Sequence, residues 1–468
     1  MREVRRLGLL ATLAAATDFE SPRFPQPLTV GPWGGGVSDD VHNDLEMRNQ
    51  GEVVETVNTS GRQAQRPAPG PGLSAGPLSG TPYVDVDLFD PAVVAEPYAA
   101  YRAIRDAGPL AWLPRSGVWA MGRYAHVKAA LADHEAFSSA GGPGLNMPAN
   151  GGMRGTIVAS DPPTHDALRL ALGGPLGPGE LRDVRELIQA AADETIAGLV
   201  ERGSFEAVSD LSQILPLTIV RELVGLPQDG RDNMLDWGAA AFDALGPDSP
   251  RTSAAIATVG SEIAFATHPS LPARMTPGGW GARIFEAAER GLIRREQGAA
   301  LVLDLINPSL DTTVNATSAL LLLLARHPDQ YEMMRADPAL IPHAINEAIR
   351  LESPIRGFTR VSTRDQSVDG APLPQGARVL VLYASANRDE RKWPDPERFD
   401  ITRKPSDHLA FGYGIHSCVG MHLARMEITA IFEAILKRVR RIEVTAAEPK
   451  INNLLRGWAR IDARFEAA

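Results

Sequence analysis

The only cysteine of the chain, Cys418, lies in the segment FGYGIHSCVG, which also contains three glycines and a histidine. Gly412, Gly414 and Gly420 permit positive φ angles and let the backbone approach a large flat group. His416 can donate a hydrogen bond to an anion. The following run, VGMHLARMEITAIFEAILKRV, is strongly helical, which would place the sulfur at a helix N-terminus, where amide donors and the macrodipole favour a thiolate. A lone cysteine is usually an inert core residue, but such a residue needs no setting of this kind.

The pattern Phe411-Gly-x-Gly-x-His-x-Cys-x-Gly420 resembles the haem-ligand signature of the cytochromes P450. The resemblance implies that Cys418 is the proximal thiolate ligand of the iron in haem b (iron protoporphyrin IX). It also assigns Phe411, Gly412, His416 and Gly420 to the binding of this cofactor. Electron donation from such a thiolate favours cleavage of the O–O bond of O2.

Three further segments fit the same family. In EAIR, Glu347 and Arg350 are three residues apart on one helix face, which by itself indicates a surface ion pair. The resemblance instead predicts a buried network in which these two residues join Arg398 of WPDPERFD and support the haem side.

The segment DPPTHDALR presents His165 and Arg169 four residues apart, on one face of a helix that starts after two prolines. A solvated helix face is the simpler interpretation. In the family this pattern binds the haem propionates, and Arg360 of ESPIRGFTR and His416 match further propionate-binding positions. Arginine suits a carboxylate because its guanidinium forms two parallel hydrogen bonds.

The run LVLDLINPSLDTTVNATSALLLLLA predicts one long helix through the core, with Asp304, Pro308, Asp311 and Asn315 as a polar stripe in an apolar element. The resemblance matches Pro308 to Thr312 with the oxygen-activation motif of the family. It implies that Asp311 relays protons and that Thr312 forms a hydrogen bond on the oxygen side. Proline in the motif's first position departs from the usual small residue and costs about 3 kcal/mol in an ordinary helix interior.

The stretches DTTVNATSALL, SANRD, FDITRK and NNLLRG look like the bacterial branch that removes methyl groups from para-substituted benzoates and other methoxyaromatics. The residues expected to line the substrate pocket are Phe242, Leu303, Asp304, Asn307 and Phe358. Benzoate-using relatives look as if they hold the substrate carboxylate with arginine and serine, whereas this chain has Asp304, whose charge would repel a carboxylate. A neutral phenol or methoxyphenol is therefore favoured over a benzoate. Phe242 and Phe358 would sandwich the ring, although each is equally typical of an ordinary core.

Helical patterns dominate the chain and strand signals are short, which predicts a mainly α protein with small β-sheets. The resemblance implies the cytochrome P450 fold, a triangular helical prism with a long central oxygen-side helix and a cysteine-ligand loop. It covers residues 81–468, the expected catalytic domain. Residues 1–80 lack periodicity and end in a Pro/Gly-rich run, so we expect a disordered extension or linker there. The glycine-rich segment 138–155 is expected to be a mobile surface loop.

The chain has 47 Lys and Arg against 57 Asp and Glu, a net charge of −10, which argues against nucleic acid or an anionic membrane as a partner. A single cysteine excludes an intrachain disulfide framework and favours a cytoplasmic location. MREVRR followed by LGLLATLAAA imitates an export signal, so export stays the alternative. We expect a monomer.

The leading hypothesis is a haem-thiolate monooxygenase that takes NAD(P)H electrons from a ferredoxin- or flavodoxin-type protein with its reductase, and that hydroxylates or O-demethylates a small aromatic substrate. One alternative is an oxygenase that is driven by peroxide or acts on another small hydrophobic substrate. The other is a haem-binding sensor without turnover. Asp311 and Thr312 argue against the peroxide-driven enzyme, which usually lacks such a pair.

Overall fold

The computed structural model describes residues 74–173 and 176–468. The predicted disordered extension and the signal-like segment lie outside these residues, apart from residues 74–80. At the start of the described chain, Ser74 Oγ accepts a hydrogen bond from the Arg378 amide at 2.9 Å. The carbonyl of Ala75 accepts one from Trp119 Nε1, also at 2.9 Å. These two contacts attach the beginning of the described chain to the larger sheet.

Helices form most of the regular secondary structure in the described residues, as the sequence predicts. In chain order the α-helices are α1 Pro91–Ala95, α2 Tyr98–Ala107, α3 Tyr124–Ala132, α4 Met147–Gly152, α5 Thr164–Gly173, α6 Pro178–Arg202, α7 Ile214–Val220, α8 Gln228–Asp243, α9 Pro250–Ala266, α10 Leu271–Arg274, α11 Trp280–Glu289, α12 Arg295–Ile306, α13 Asp311–Arg326, α14 Pro328–Ala336, α15 Ile341–Glu352, α16 Tyr383–Ala386 and α17 Met421–Arg438.

Within the described residues the strands form three small sheets, and all strands except β9 and β10 have at most five residues. They are β1 Ala111–Leu113, β2 Val118–Met121, β3 Phe137–Ser138, β4 Ser204–Glu206, β5 Phe358–Ser362, β6 Gln366–Val368, β7 Ala371–Leu373, β8 Arg378–Val381, β9 Val439–Pro449 and β10 Trp458–Ala467. The largest sheet has the order β1-β2-β8-β5-β3, with β2 and β8 parallel. The other two have the orders β4-β10-β9 and β6-β7. The β9-β10 hairpin bears on the site described below because its connecting loop reaches into the helical core.

The centre of the core is α13, in which every residue from Thr313 to Leu324 is buried. Because this helix is buried on all sides, other elements surround it, and it packs against α15, α17, β9 and α8. The run ALLLLLA is thus a buried helix, as its composition indicates. Among the described residues, no helix combines the length and apolar character needed to cross a membrane.

The long helix expected through the core is interrupted. α12 ends at Ile306 and α13 begins at Asp311, and residues 307–310 form turns. Pro308 causes the break because it has no amide hydrogen to donate to the carbonyl of Asp304. The hydroxyl of Ser309 then donates to the carbonyl of Leu305, so that a side chain takes a backbone acceptor of the helix.

The glycine-rich segment 138–155 is not simply a surface loop. It contains α4, and the side chains of Ser139, Asn146 and Asn150 are buried. Asn150 accepts a hydrogen bond from the Gly144 amide at 2.9 Å and donates one to the Gly144 carbonyl at 3.0 Å. The prediction of a surface loop was wrong in this respect, because composition does not reveal that polar side chains of the segment form hydrogen bonds with its own backbone.

Candidate functional site

The loop that carries Cys418 is folded by two glycines with positive φ. Gly412 and Gly414 both have φ of +70°. A Cβ at Gly412 would lie 3.2 Å from the His416 carbonyl oxygen, and one at Gly414 would lie 2.5 Å from that of Leu131. The Cys418 amide donates to the Phe411 carbonyl at 2.8 Å, which closes the loop. Glycine is therefore required at both positions for steric reasons.

Gly420 plays a different part from the one predicted. Its φ is −85°, so it does not need the left-handed region, and it is the residue that caps the start of α17. A Cβ at Gly420 would approach Cys418 Sγ to 4.0 Å. At this distance the contact would be an ordinary one, so the described protein atoms do not require glycine at this position.

The sulfur of Cys418 lies at the N-terminus of α17, as predicted, where the amides of Gly420 and Met421 act to lower the pKa of its thiol. The residue is exposed, yet protein atoms crowd the sulfur closely enough that desolvation raises the pKa of the Cys418 thiol. The two amides, Arg169 and Arg425 act in the opposite direction and do not outweigh desolvation. The helix end by itself therefore does not lower the pKa of the thiol below its ordinary value, and a coordinated metal ion would favour the thiolate.

Cationic and imidazole groups gather around this loop. Arg169 Nη2 donates to the Ser417 carbonyl at 2.6 Å. The rings of His165 and His416 lie edge to face with centroids 4.7 Å apart. Burial lowers the pKa of His416 to about 2, with further repulsion from Arg360, His165 and Arg169. A carboxylate among these groups would relieve that repulsion.

These residues fit a haem. Within the described chain, the buried Nε2 atoms of His165 and His416 have no hydrogen-bond partner, which is costly unless an acceptor such as a carboxylate meets them. Arg360 is 2% exposed and also lies beside the Tyr383 hydroxyl. A thiol sulfur, two arginines and two orphaned imidazoles match a porphyrin that presents an iron and two propionates.

Another arginine, Arg425 of α17, also supports the loop. The guanidinium of Arg425 lies 4.9 Å from the centre of the Phe411 ring and donates to Asn346 Oδ1 at 3.0 Å. Arg425 thus couples the Phe411 end of the loop to α15 through a cation–π contact and a hydrogen bond. The sequence motif does not mark this residue.

The predicted network of Glu347 and Arg350 exists and is completely buried. Arg350 Nε and Nη2 donate to the two carboxylate oxygens of Glu347 at 2.8 and 2.9 Å. The third member of the network is Arg403, whose Nε lies 3.0 Å from Glu347 Oε1. The prediction that the side chain of Arg398 joins this network was wrong, because it is 65% exposed and pairs with Asp400 at 2.6 Å. Only the carbonyl of Arg398 reaches the network, as a 3.5 Å acceptor of Arg350.

On the oxygen side, the interrupted helix brings polar groups to the junction of α12 and α13. Thr312 Oγ1 donates to the Pro308 carbonyl at 2.6 Å. Asp311 is 3% exposed; its Oδ1 lies 3.0 Å from Lys450 Nζ, and its Oδ2 has no partner in the described part of the chain. Gly238 of α8 packs here, where a Cβ would lie 3.8 Å from Asp311 Oδ2. Asp311 is thus a buried carboxylate with one free oxygen.

The predicted pocket residues differ in their surroundings. Phe242 is 6% exposed and belongs to an apolar cluster with Leu245, whereas Phe358 is half-buried and meets Tyr383 edge to face at 6.1 Å. Leu303, Asp304 and Asn307 are half-buried on or just after α12. Asp304 Oδ2 accepts from the Ile157 amide at 2.7 Å, and burial raises the pKa of Asp304 to about 7.

Asn307 leads to a carboxyl group that no sequence motif indicates. Its Nδ2 lies 3.4 Å from Oε2 of Glu262, which is completely buried on α9. Burial raises the pKa of Glu262 to about 8, so that the carboxyl group is largely protonated at neutral pH. Glu262 Oε1 and Asn307 Oδ1 lack partners within the described residues. A glutamate in an amphipathic helix is normally expected to be exposed. Only the packing of α9 against α12 reveals that the carboxyl group of Glu262 is buried.

The fold is mainly helical, and it combines a thiol loop, arginine and histidine donors suited to haem propionates, and an interrupted core helix. These features define a haem-thiolate protein. The cytochrome P450 family model matches residues 284–457. Cytochrome P450 CYP199A2 of Rhodopseudomonas palustris is 38% identical over 389 residues, which cover 81% of this chain and 93% of that protein. The beta-dihydromenaquinone-9 omega-hydroxylase of Mycobacterium tuberculosis is 32% identical over 391 residues, 81% of this chain and 78% of its own.

Similarity to solved structures indicates the same family. A myxobacterial cytochrome P450, CYP267B1, in complex with myristic acid matches with a TM-score of 0.72 and 29% identity, over 81% of this chain and 98% of its own. The chain belongs to the cytochrome P450 family. Cytochromes P450 are haem monooxygenases that use O2 and electrons from NAD(P)H, which redox partners supply. This protein is therefore an oxidoreductase of that class.

Proposed function

We propose that residues 81–468 form a monooxygenase that removes the methyl group from a small neutral methoxyaromatic compound. The reaction is ArOCH3 + O2 + NAD(P)H + H+ → ArOH + CH2O + H2O + NAD(P)+. One methyl C–H bond becomes C–OH, and the resulting hemiacetal breaks its C–O bond to release the phenol and formaldehyde. The support is the similarity of SANRD, FDITRK and NNLLRG to the demethylating branch of the family.

We assign the cofactor-binding roles to the residues around the thiol loop. Cys418 holds the iron, and Arg169, Arg360, His165 and His416 bind the propionates through the donors described above. Bound haem supplies the redox-active iron at which O2 is activated. The two arginines would neutralise the carboxylates of the cofactor, because unpaired charges are costly where they are shielded from water.

We assign proton handling to Asp311 and Thr312. The free Oδ2 of Asp311 can accept a proton and pass it on, while the Thr312 hydroxyl is held by the Pro308 carbonyl and presents its oxygen as an acceptor. Both groups lie where the helix is interrupted, so backbone carbonyls there can also hold water for proton transfer.

The observation that carries the choice of a neutral substrate is Asp304. Benzoate-using relatives look as if they are basic in this region of the pocket, whereas Asp304 is half-buried and takes a hydrogen bond from the Ile157 amide. The nearby Asn307 meets the carboxyl group of Glu262 rather than a cation. An anionic substrate would meet carboxyl groups in this part of the pocket, whereas a phenol or methoxyphenol can donate or accept a hydrogen bond there.

The electron donor is proposed to be a ferredoxin- or flavodoxin-type protein that binds a monomeric enzyme near α5 and the thiol loop. On this side Leu170 is 78% and Tyr413 41% exposed, and Lys128 Nζ lies 4.8 Å from the centre of the Tyr413 ring. Exposed apolar groups next to a cation suit a small acidic partner.

The test is turnover with a donor system and matched pairs of methoxyphenols and methoxybenzoates. We expect neutral members to shift the ferric haem to high spin and to release formaldehyde in proportion to NAD(P)H oxidised. If only benzoates do so, the choice of a neutral substrate is wrong. If no member shifts the spin state or yields formaldehyde, O-demethylation is wrong. The family's relatives include a protein named as a menaquinone omega-hydroxylase, so membership alone does not fix the substrate.

A further inference from the structure

The loop between β9 and β10, residues 450–457, is built as a small rigid unit. The Lys450 amide donates to the Gly457 carbonyl at 2.9 Å. Asn452 Oδ1 accepts from the amides of Leu454 and Leu455 at 3.1 and 3.0 Å. Asn452 is completely buried. Because these bonds lie within the loop, a movement of one of its residues is transmitted to the others.

One end of this loop meets the proton-handling carboxylate. Lys450 Nζ lies 3.0 Å from Asp311 Oδ1, and the two side chains are 26% and 5% exposed. Among the described residues, Lys450 is the hydrogen-bond partner that the structure records for the Asp311 side chain. A buried carboxylate with one cationic partner takes its orientation from that partner, and loss of the ammonium would leave it costly to ionise.

The other part of the loop holds the connection between α8 and α9. The Asn453 amide donates to Asp243 Oδ1 at 2.7 Å, and Asn453 Nδ2 donates to the Asp243 carbonyl at 2.6 Å. Asn453 Oδ1 accepts from Arg251 Nη1 at 2.9 Å. Gly246 lies directly against Asn453, where a Cβ would come within 2.1 Å of Nδ2. The connection thus closes over the loop with no space for a side chain.

The charges of the two parts are also coupled. Burial raises the pKa of Asp243 to about 6, the Asn453 amide, Arg251 and Lys450 oppose this shift, and the charge of Asp311 adds to it. One ammonium group therefore interacts with a carboxylate at the end of α8 and with the carboxylate at the start of α13. A movement of Lys450 therefore changes the electrostatic energy of both carboxylates, Asp243 and Asp311.

We propose that Lys450 is a positioning residue for Asp311, and that the loop 450–453 makes this positioning depend on closure of the α8–α9 connection. When Asn453 is bound to Asp243, Lys450 is held against Asp311 Oδ1 and leaves Oδ2 free. Opening of the connection removes the anchor of the loop and with it the cation beside Asp311. This inference rests on the proposed proton-handling role of Asp311.

The experiment compares four variants of the haem-loaded protein. Lys450→Met removes the ammonium with similar volume, and Lys450→Arg restores a cation. Asn453→Ala removes the side-chain bonds of the anchor, to the Asp243 carbonyl and Arg251, while the backbone bond to Asp243 Oδ1 remains and Asp311 is not touched. Arg460→Met is the control, because Arg460 is an exposed cation of the same hairpin that pairs with Asp462. The first readout needs no turnover: hydrogen exchange of the amides of residues 243–246 in the oxidised protein. We expect faster exchange in Lys450→Met and Asn453→Ala and no change in Arg460→Met.

The second readout is the partition of electrons between product and hydrogen peroxide. We expect roughly a tenfold to hundredfold fall in the product-to-peroxide ratio for Lys450→Met, partial recovery in Lys450→Arg, and a smaller fall in Asn453→Ala. The dissociation constant of the substrate should change little in the two lysine variants. A purely structural role would lower the thermal stability of Lys450→Met and leave this ratio unchanged, which would overturn the proposal.

Asp311→Asn separates this inference from the proposed function. If Asp311→Asn does not change the partition, the role of Asp311 is wrong. If Asp311→Asn changes it but Lys450→Met does not, the positioning role of Lys450 alone is wrong. If Lys450→Met acts but Asn453→Ala changes neither exchange nor partition, the coupling to the α8–α9 connection is wrong. In the double variant that combines Lys450→Met with Asp311→Asn, we expect a change in the partition no larger than that of Asp311→Asn alone.

Discussion

Arg403 Nε lies 3.0 Å from Glu347 Oε1, although the two residues are separated by 56 positions in the chain. The same carboxylate receives two hydrogen bonds from Arg350, so one buried anion is shared by two arginines. Arg403 also donates to the carbonyls of Pro394 and Asp395 at 2.8 and 3.2 Å, which fixes the irregular segment before the thiol loop against α15.

The first prediction compares Arg403→Ala with Arg398→Ala. Arg403→Ala leaves Glu347 with one cation in a completely buried site, so we expect a loss of about 3 kcal/mol or more in unfolding free energy and weaker haem retention. Arg398→Ala removes an exposed ion pair with Asp400 and should cost less than about 1 kcal/mol. Denaturant unfolding measures the stability of each variant, and the haem absorbance per protein measures its haem retention. Equal effects of the two changes would contradict the assignment of the network.

The second prediction concerns the metal ligand. Cys418→Ala should abolish the reduced carbon monoxide spectrum that is typical of a thiolate ligand. The loop itself should persist, because the bond from the residue 418 amide to the Phe411 carbonyl is a backbone contact. The far-ultraviolet circular dichroism of the variant provides the control. An unchanged thiolate spectrum would refute the role of Cys418.

The third prediction tests the hydroxyl of Thr312. Thr312→Ala should keep haem and substrate binding but divert electrons from product to hydrogen peroxide, by about tenfold or more, because a proton-transfer group is lost. Thr312→Ser keeps a hydroxyl that can donate to the Pro308 carbonyl and should retain most of the coupling. Product and peroxide are measured per NAD(P)H oxidised. If the alanine and serine variants behave alike, the hydroxyl is not the functional group.

The fourth prediction concerns the pH dependence of stability through Glu262. Its pKa is raised by burial to about 8 in the folded protein, above the ordinary value of 4.5. Between these values the unfolded chain is ionised while the folded one keeps its proton, so this group lowers stability as pH rises. The loss is at most about 1.4 kcal/mol per pH unit and stops growing above the folded pKa.

Glu262→Gln should therefore be more stable than the unchanged protein at pH 8 and show little advantage at pH 4.5, since Gln can still accept from Asn307 Nδ2. Glu433→Gln, at an exposed position of α17, is the control and should not show this trend. Denaturant unfolding at several pH values gives the difference. A constant difference across the range would show that Glu262 is ionised in the folded protein.

The fifth prediction concerns Asp304. Asp304→Asn keeps an oxygen that can accept from the Ile157 amide but removes the charge, so a methoxybenzoate should bind about tenfold more tightly at pH 8, while a methoxyphenol changes little. In the unchanged protein, benzoate binding should strengthen as pH falls from 8 to 6, because the pKa of Asp304 is raised by burial to about 7. The spin-state titration measures both. If benzoate affinity is the same in both proteins and independent of pH, Asp304 does not face the substrate.

The sequence by itself determined what depends on local residue type and spacing. The glycine turns at Gly412 and Gly414 follow from the steric freedom of glycine, and the burial of α13 follows from its continuous apolar run. The i,i+3 spacing brought Glu347 and Arg350 together. The position of Cys418 before a helix was visible from the pattern that follows it. These features need no information from distant parts of the chain.

Only the tertiary structure decided which distant residues meet. It selected Arg403 instead of Arg398 because the path of an irregular segment, which has no periodicity, determines which side chain turns inward. It brought Lys450 to Asp311 and Glu262 to Asn307, pairs whose partners lie on elements far apart in sequence. It also showed that desolvation outweighs the helix end at Cys418, because burial depends on every element packed around the sulfur.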